Sequence, residues 1–180
     1  MKPAAARPAT GLVALTVKVS SCPLTPVVNG VASLHTGTFA AGAHSLTATY
    51  SGDAYFLGSS GTASLTALAP ASLSGIVFAD FNNDGQVDFG EKGISGVSIT
   101  LTGTDDLGRG VNLSQQTDGD GAYVFRNLRP GAYYLTEPNQ PPGYTQGIDS
   151  MGTAGGQLSA GDQFFVQLAQ GVDGLNYNYG

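Results

Sequence analysis

Residues 97 to 102 read Val-Ser-Ile-Thr-Leu-Thr, so an extended chain puts Val97, Ile99 and Leu101 on one face and Ser98, Thr100 and Thr102 on the other. His44 to Tyr50 repeats the pattern, with Leu46, Ala48 and Tyr50 alternating with Ser45, Thr47 and Thr49. Each such run is short and ends in turn formers. Glycine supplies 27 of the 180 residues, about twice its usual share of ~7%. Glu and Lys, the usual residues of helix surfaces, number only two and three. A period of two, broken every few residues by glycine, excludes a helical bundle or coiled coil and predicts an all-β fold. Apolar residues at 41% also exclude a disordered polyelectrolyte.

The strand pattern divides into two modules. In residues 1–69, strands are expected at Leu12 to Val19, at Val31 to Leu34 after the Asn29-Gly30 turn, at His44 to Tyr50, and at Ala63 to Leu68. Ser51-Gly52-Asp53 reads as a turn. Ala69-Pro70 marks the boundary, because a residue before proline is pushed toward extended conformations. In residues 70–180, seven strands are expected: Leu73 to Phe78, Val97 to Thr102, Val111 to Thr117, Ala122 to Leu128, Ala132 to Glu137, Gln163 to Leu168 and Leu175 to Tyr179. Short strands punctuated by Gly, Asp-Gly and Pro-Pro predict a β-sandwich. The expected core is Tyr123, Phe125, Tyr133, Leu135, Phe164, Val166, Tyr177 and Tyr179.

Charge is divided unevenly between the modules. Up to Ala69, one acidic residue (Asp53) stands against Lys2, Arg7 and Lys18, a net of +2. From Pro70, twelve acidic residues stand against Lys92, Arg109, Arg126 and Arg129, a net of −8, and the two sum to the formal −6. Such a balance argues against nucleic acid as a partner, since nothing neutralises phosphates. It suits a divalent cation bound through oxygen. The single Cys22 excludes an internal disulfide and a multi-thiolate zinc site. Val19-Ser20-Ser21-Cys22 loosely matches a lipoprotein cleavage box, but the apolar run before it is short and Lys18 interrupts it. No run approaches the ~20 apolar residues of a membrane-spanning helix. A piece of a longer extracellular or cell-surface protein, in contact with neighbouring modules, is the expectation.

The most informative segment is Asp80-Phe81-Asn82-Asn83-Asp84-Gly85-Gln86-Val87-Asp88-Phe89-Gly90-Glu91. Oxygen-bearing side chains fall at positions 1, 3, 5, 9 and 12, with glycine at 6, which is the spacing of an EF-hand calcium loop. Ca²⁺ takes six to eight oxygens at about 2.3–2.6 Å, so a loop must curl around it. Asp80, Asn82 and Asp84 would each give one side-chain oxygen, Gln86 its carbonyl, Asp88 an oxygen directly or through water, and Glu91 both carboxylate oxygens. The competing reading is a solvated Asn-Asp-Gly turn, in which four acidic groups within twelve residues repel one another without compensation. Flanking sequence excludes a helix-loop-helix hand, since Ser74 to Phe78 is strand-like and Lys92-Gly93-Ile94-Ser95-Gly96 breaks a helix.

Two resemblances follow from ordered motifs. Ala40 to Asp53, reading AAGAHSLTATYSGD, resembles the closing hairpin of a bacterial Ig-like repeat, a likeness that extends over about residues 11–69. That match lacks the family's first strand, so the copy is expected to be truncated and less stable alone. Ser74-Gly75-Ile76-Val77-Phe78-Ala79-Asp80, the acidic loop, Gly90 to Val97, Thr117-Asp118-Gly119-Asp120-Gly121-Ala122-Tyr123, Leu128 to Tyr133, Pro141-Pro142-Gly143-Tyr144 and Tyr177-Asn178-Tyr179-Gly180 resemble the B-type repeats of serine-aspartate-repeat surface adhesins. The resemblance covers about residues 71–180. It implies a Greek-key sandwich of the collagen-adhesin B-domain type, in which calcium stiffens a stalk-like or spacer module. Related domains close an internal Lys–Asn isopeptide bond beside a buried carboxylate, and Glu137 matches that acidic position. The module's only lysine, Lys92, lies in the turn after the loop, so no isopeptide is expected and Glu137 is read as a hydrogen-bonded edge residue.

Two further acidic pairs are candidates for a second metal site. Strand counting places Asp118 and Asp120 at the same end as the acidic loop, and Asp105 and Asp106 at the opposite end near Pro70. A plain Asp-Gly hairpin accounts for the first pair equally well. Catalysis is not expected. His35 and His44 have no acid nearby in sequence, no Gly-x-Ser-x-Gly elbow occurs, and no phosphate loop leads into a helix. A ligand-binding adhesion module for a host or matrix protein is the main alternative to a spacer, and an accessory module of a secreted hydrolase a remote one. Phe81, Phe89 and Tyr144 are the aromatic residues that would serve a protein ligand, and all three are expected to be packed instead.

Overall fold

The computed structural model describes residues 12–17, 20–21, 25–34, 36–159 and 162–180, with side chains from residue 25 onward. Lys18, Cys22 and His35 lie outside the described residues, as does Val19, so the two ends of the lipoprotein-like box and the last two positions of the strand expected at 12–19 are not described. Every regular element among the described residues is a strand. The chain divides into two units, Met1–Ala67 and Leu68–Gly180, within two residues of the boundary set by Pro70.

The first unit contains β1 (Leu12–Val17), β2 (Ser20–Ser21), β3 (Thr25–Pro26), β4 (Gly42–Tyr50) and β5 (Ser59–Ala67). They form one antiparallel sheet in the order β2-β1-β4-β5, with β3 also pairing β1. Asp53 closes the connection after β4 by accepting the backbone N–H groups of Tyr55 and Phe56 at 2.8 and 2.9 Å. The last strand starts four residues earlier than its alternation predicts, because Tyr50 pairs with Ser59 and the ladder then runs unbroken to Gly42 and Ala67. Val31 to Leu34 is not a strand. Val28 and Val31 bond to each other across the Asn29-Gly30 turn and stay exposed, having no sheet to join. His44 sits on β4 with its ring against Phe39 and Nε2 on the Ala40 carbonyl. None of the described hydrophobic side chains of this unit is fully buried.

The second unit holds the core. It contains β6 (Ala71–Ile76), β7 (Ser98–Asp105), β8 (Gly110–Gln116), β9 (Ala122–Leu128), β10 (Gly131–Thr136), β11 (Gln157–Ser159), β12 (Gln163–Leu168) and β13 (Asp173–Gly174). One sheet runs β11-β12-β10-β7-β8, and the other β13-β6-β9, with β13 parallel to β6. Alternation drives the packing. Ile99 and Leu101, Tyr133 and Leu135, and Phe164, Val166 and Leu168 point inward from three neighbouring strands. The register sets Leu101, Leu135 and Phe164 in one row, and Gly103, Tyr133 and Val166 in the next, where the bare Gly103 leaves space for the tyrosine ring. Leu73, Val77, Tyr123 and Phe125 face them from the other sheet. All eight expected core residues are buried.

Two elements depart from expectation. Residues 175–179 do not form a continuous strand, because Asn176 turns the chain with φ of +64° after β13. The segment then rejoins β6 in parallel: Tyr177 N bonds Ser74 O, Tyr179 N bonds Ile76 O, and Phe78 N bonds Tyr179 O. The edge strand β11 is three residues long and exposed throughout, with Leu158 its one apolar residue, so the sequence contains no sign of it.

Buried polar groups mark the end of the sandwich where β10 leaves. Glu137 is 3% exposed and its Oε1 has no hydrogen-bond partner, so it is not the hydrogen-bonded edge residue expected of it. Burial, with Asp162 and Asp149 adding repulsion, pushes its carboxyl up to about 7. Burial likewise pushes Asp149 up to about 6, a rise that the Gly180 N–H opposes. Tyr123 and Tyr179 are raised by burial as well. A carboxyl whose value is higher folded than unfolded contributes stability at low pH that is lost as pH rises through the folded value. In chelator, the second unit therefore gains melting temperature as pH falls from 8 to 5.5, and calorimetry of Glu137→Gln shows a higher value at pH 8 and a smaller gain on acidification. Leu135→Ala, which empties the centre of the Leu101–Phe164 row, costs about 2–5 kcal/mol in urea unfolding, whereas Leu65→Ala on the exposed β5 costs about 0.5 kcal/mol or less.

Candidate metal centre

The acidic loop leaves the sandwich through a closed neck. Phe78 bridges Gly93, Ala79 N bonds the Lys92 carbonyl at 3.0 Å, and Ile94 N bonds the Val77 carbonyl at 2.8 Å. Gly93 has to be glycine here, because a Cβ would lie 1.8 Å from the Asp120 carbonyl oxygen. Thr117 fixes the exit: its Oγ1 donates to Ile94 O at 2.7 Å and accepts from Val97 N at 2.9 Å. The ends of the twelve-residue loop are thus held together by backbone pairing before any ligand is considered.

Inside the neck, the side-chain oxygens hold the loop's own backbone. Asp80 accepts Asp84 N through Oδ1 at 3.1 Å and Gly85 N through Oδ2 at 2.8 Å. Asn82 Oδ1 also accepts Asp84 N, and Asp84 Oδ1 accepts Gln86 N at 2.9 Å. Glu91 reaches back across the loop, its Oε1 on Phe81 N and its Oε2 on Asp88 N, both at 2.9 Å. Gly85 takes φ of +74° at the bend, and a Cβ there would stand 2.7 Å from Ile148 Cγ2. The structure therefore brings Asp80, Asn82, Asp84, Gln86, Asp88 and Glu91 into one curled loop. Asn82 Nδ2 donates to both Asp84 Oδ2 at 3.2 Å and Asp88 Oδ2 at 3.0 Å, the position of a positive dipole between two carboxylates.

As they stand, no three His, Cys, Asp or Glu side chains among the described residues are gathered tightly enough to hold a metal. The donor set nonetheless fits calcium in kind. It is all oxygen, it carries four carboxylates, and the ion pairs of the described residues all lie elsewhere, on Asp105 and Asp106. Turning the Asn82 carboxamide over would exchange its amide nitrogen for oxygen at the point where Asp84 and Asp88 converge.

The other acidic candidates are differently placed. Asp118 caps its own hairpin, with Oδ1 accepting Asp120 N at 3.0 Å and Ala122 N at 2.9 Å. This turn lies beside the neck, at the end that strand counting predicts. Asp105 and Asp106 lie at the opposite end, beside Pro130, and their oxygens go to arginines rather than standing open. Asp105 accepts Leu107 N, Arg109 N and Arg109 Nε at 2.8–2.9 Å. Burial alone would raise its pKa, but these hydrogen bonds hold it below the usual carboxylate value. Asp106 is bidentate to Arg129 at 2.6 and 2.8 Å, and that pairing lowers it too. Phe81 and Phe89 are 79% and fully exposed, and Tyr144 is 46% exposed, which overturns the expectation that all three are packed. The loop curls over its own carboxylates and leaves both rings outside. Sequence reasoning did not single out Gly93 or Thr117, whose roles rest on contacts 20 or more residues away.

Comparison with known proteins agrees with these two units. Residues 1–69 match the bacterial Ig-like domain (group 3), and residues 71–172 match the SdrD B-like domain. Serine-aspartate repeat-containing protein D of Staphylococcus aureus (strain Newman) is 40% identical over 92 residues, 46% of this chain and 7% of that protein. A fibrinogen-binding protein of Staphylococcus epidermidis is 35% identical over 102 residues, 57% of this chain and 9% of that one. The chain thus spans less than a tenth of the length of the curated relatives named here. Among solved structures, the minor pilin GBS52 of Streptococcus agalactiae is 12% identical with a TM-score of 0.39, covering 99% of this chain and 86% of the pilin. The major pilin subunit BcpA of Bacillus cereus is 12% identical with a TM-score of 0.39, covering 95% and 55%. Those likenesses carry no argument about function. With more than half of its length matched, the chain belongs to the SdrD B-like domain family.

Proposed function

We propose that this chain is a calcium-stabilised structural module, a stalk or spacer, of an extracellular adhesin-like protein on a bacterial surface, without catalytic activity. One observation carries the reading: four carboxylates share a twelve-residue loop whose ends are clamped by backbone pairing and whose interior offers no cation. Asp80, Asn82, Asp84, Asp88 and Glu91 would hold the ion with side-chain oxygens, and Gln86 with its carbonyl. Bound calcium supplies the positive charge that lets the carboxylates converge. Because the ion binds the folded loop and not the unfolded chain, it shifts the folding equilibrium toward the native unit. Family membership supports the setting, since the serine-aspartate repeat-containing relatives are long proteins of which this chain matches a small part.

A second reading, a module that grips a protein, is favoured by the exposure of Phe81, Val87 and Phe89 on the same loop. One relative is named for binding fibrinogen, which makes fibrinogen the first ligand to try. The two readings separate in one set of measurements. Calorimetry of the chain in millimolar calcium against excess chelator gives a rise of ten degrees or more in the second unit's transition, and Glu91→Gln loses most of it. Coincident melts would leave the acidic loop as a turn and remove the calcium role. Phe81→Ser/Phe89→Ser leaves the calcium-dependent rise intact, and a loss of fibrinogen capture in that variant would establish the second reading.

A further inference from the structure

The sandwich is open along one side. β8 ends the larger sheet and β9 the smaller one, and no described strand pairs with the free edge of either. Between these two strands lies a cleft of about 380 Å³. Leu113 pairs with the buried Leu101, and Val111 with Gly103, so both stand on the interior face of β8. Val111 packs on the core, whereas Leu113 is 43% exposed. The backbone of β8 is free in a regular way. Asp105 N bonds Arg109 O and Thr117 N bonds Val97 O, so the odd-numbered residues of this antiparallel strand turn their N–H and C=O groups to β7. Those of Gly110, Asn112, Ser114 and Gln116 point to the open edge. Edge strands are ordinarily guarded by charge, proline or brevity, and Gly-Val-Asn-Leu-Ser-Gln-Gln has none of these. β9 is the poorer template, because the Asp118 hairpin already holds both backbone groups of Ala122.

Charge marks the same cleft. The second unit has four cationic side chains against twelve acidic ones, yet three of the four, Arg109, Arg126 and Arg129, line it. Asp105 is the one acid in the lining, and it spends its oxygens on Arg109 and on backbone N–H groups. Asp106 takes Arg129. The exposed Arg126 enters no ion pair among the described residues, so positive charge is left over here on a unit whose net is −8.

We propose that the β8 edge and its cleft bind an extended segment of a partner protein, added antiparallel to β8, that carries an apolar side chain and, two residues later, a carboxylate. Alternate side chains of an added strand face the cleft, and the residues between them bond to the open edge. An apolar side chain opposite Leu113 covers the exposed part of that leucine. Antiparallel pairing sets the next inward side chain opposite Val111, on the way to Arg109 and the cleft's arginines. A carboxylate there meets the unpaired guanidinium of Arg126, whose planar fork suits two oxygens. A second copy of this chain fits worse, because its β8 would bring Val111, Leu113 and Gln115 inward and no acid. The site is separate from the outer faces of Phe81 and Phe89, and it does not rest on metal binding.

The test is a nitrogen-15 amide titration of the full 180-residue chain in calcium with the capped peptide acetyl-Ser-Thr-Ile-Thr-Glu-Thr-Ser-amide. It gives saturable shifts at the amides of Asn112, Ser114 and Arg126, and it slows hydrogen exchange at Asn112 and Ser114. Methylating the backbone nitrogen of the central threonine, which faces the edge, weakens binding about tenfold. Replacing the peptide's glutamate by glutamine, exchanging its isoleucine and glutamate, or Arg126→Gln in the protein each weakens it roughly fivefold. Ser114→Pro removes an N–H that β7 does not use and abolishes the slowed exchange. No saturable shift at these amides, or shifts confined to the acidic loop, would overturn the site. Equal binding of the methylated peptide would overturn strand addition, and equal binding of the glutamine peptide would overturn the call for a carboxylate. Matching shifts with acetate alone would mean a small-anion site, and matching shifts on concentrating the chain alone would mean a second copy, either of which overturns the proposal. Should Ser114→Pro fail to fold, the methylated peptide still decides whether the edge is used.

Discussion

The second unit depends on the backbone of three consecutive residues, Val77, Phe78 and Ala79. Val77 gives its N–H to Gly121 O and its carbonyl to Ile94 N, Phe78 gives its N–H to Tyr179 O, and Ala79 gives its N–H to Lys92 O. These bonds tie the exit of β6 to the Asp118–Gly121 turn, to the last segment of the chain and to both ends of the acidic loop. Glycine at 93 is the steric condition for that meeting, since any side chain would drive the turn away. The loop's carboxylates are consequently arranged by a node that belongs to the sandwich and not by the loop itself. This is why residues far from the acidic positions, Thr117 and Gly93 among them, belong to the account of the site.

Much of the fold is legible in the residues because packing and alternation agree. Ile99, Leu101, Tyr133, Leu135, Phe164 and Val166 occupy every second place on their strands, and all are buried. Where local pattern and tertiary pairing diverge, the sequence is silent. The edge strand β11 has no buried face, and β5 extends back to Ser59 only because β4 is long enough to pair with it. Val31 to Leu34 has apolar residues but no partner, so alternation alone misleads there. The acidic loop is legible for a different reason, since its oxygens follow a fixed spacing that a turn does not require. Exposure of Phe81 and Phe89 was not legible, because the direction of a side chain on a curled loop depends on the curl.

Glu137 illustrates the opposite limit. Its place in Tyr134-Leu135-Thr136-Glu137 continues the inward alternation of Tyr133 and Leu135, which is a warning that the carboxylate points inward too. Nothing in the sequence, however, says that Gln140 and Gln146 bond to each other and to Asp162 and Asp149, leaving the acid alone. Satisfaction of a buried polar group is a property of three or four segments at once. The same holds for Asp105 and Asp106, whose arginine partners come from positions 109 and 129.

The parallel course of β6 and the final segment has a mechanical consequence. Ser72 pairs with Asp173, Leu73 with Gly174, and Val77 with Tyr179, so the two run side by side in one direction. A pull applied at Ala71 and at Gly180 drags them past each other along their length. The bonds of Tyr177 N, Tyr179 N and Phe78 N then bear load together and must rupture together, whereas an antiparallel hairpin pulled from its open end would unzip one bond at a time. Resistance of this kind is governed by the rate of unfolding and not by equilibrium stability. The acidic loop branches from the very residues that carry that load.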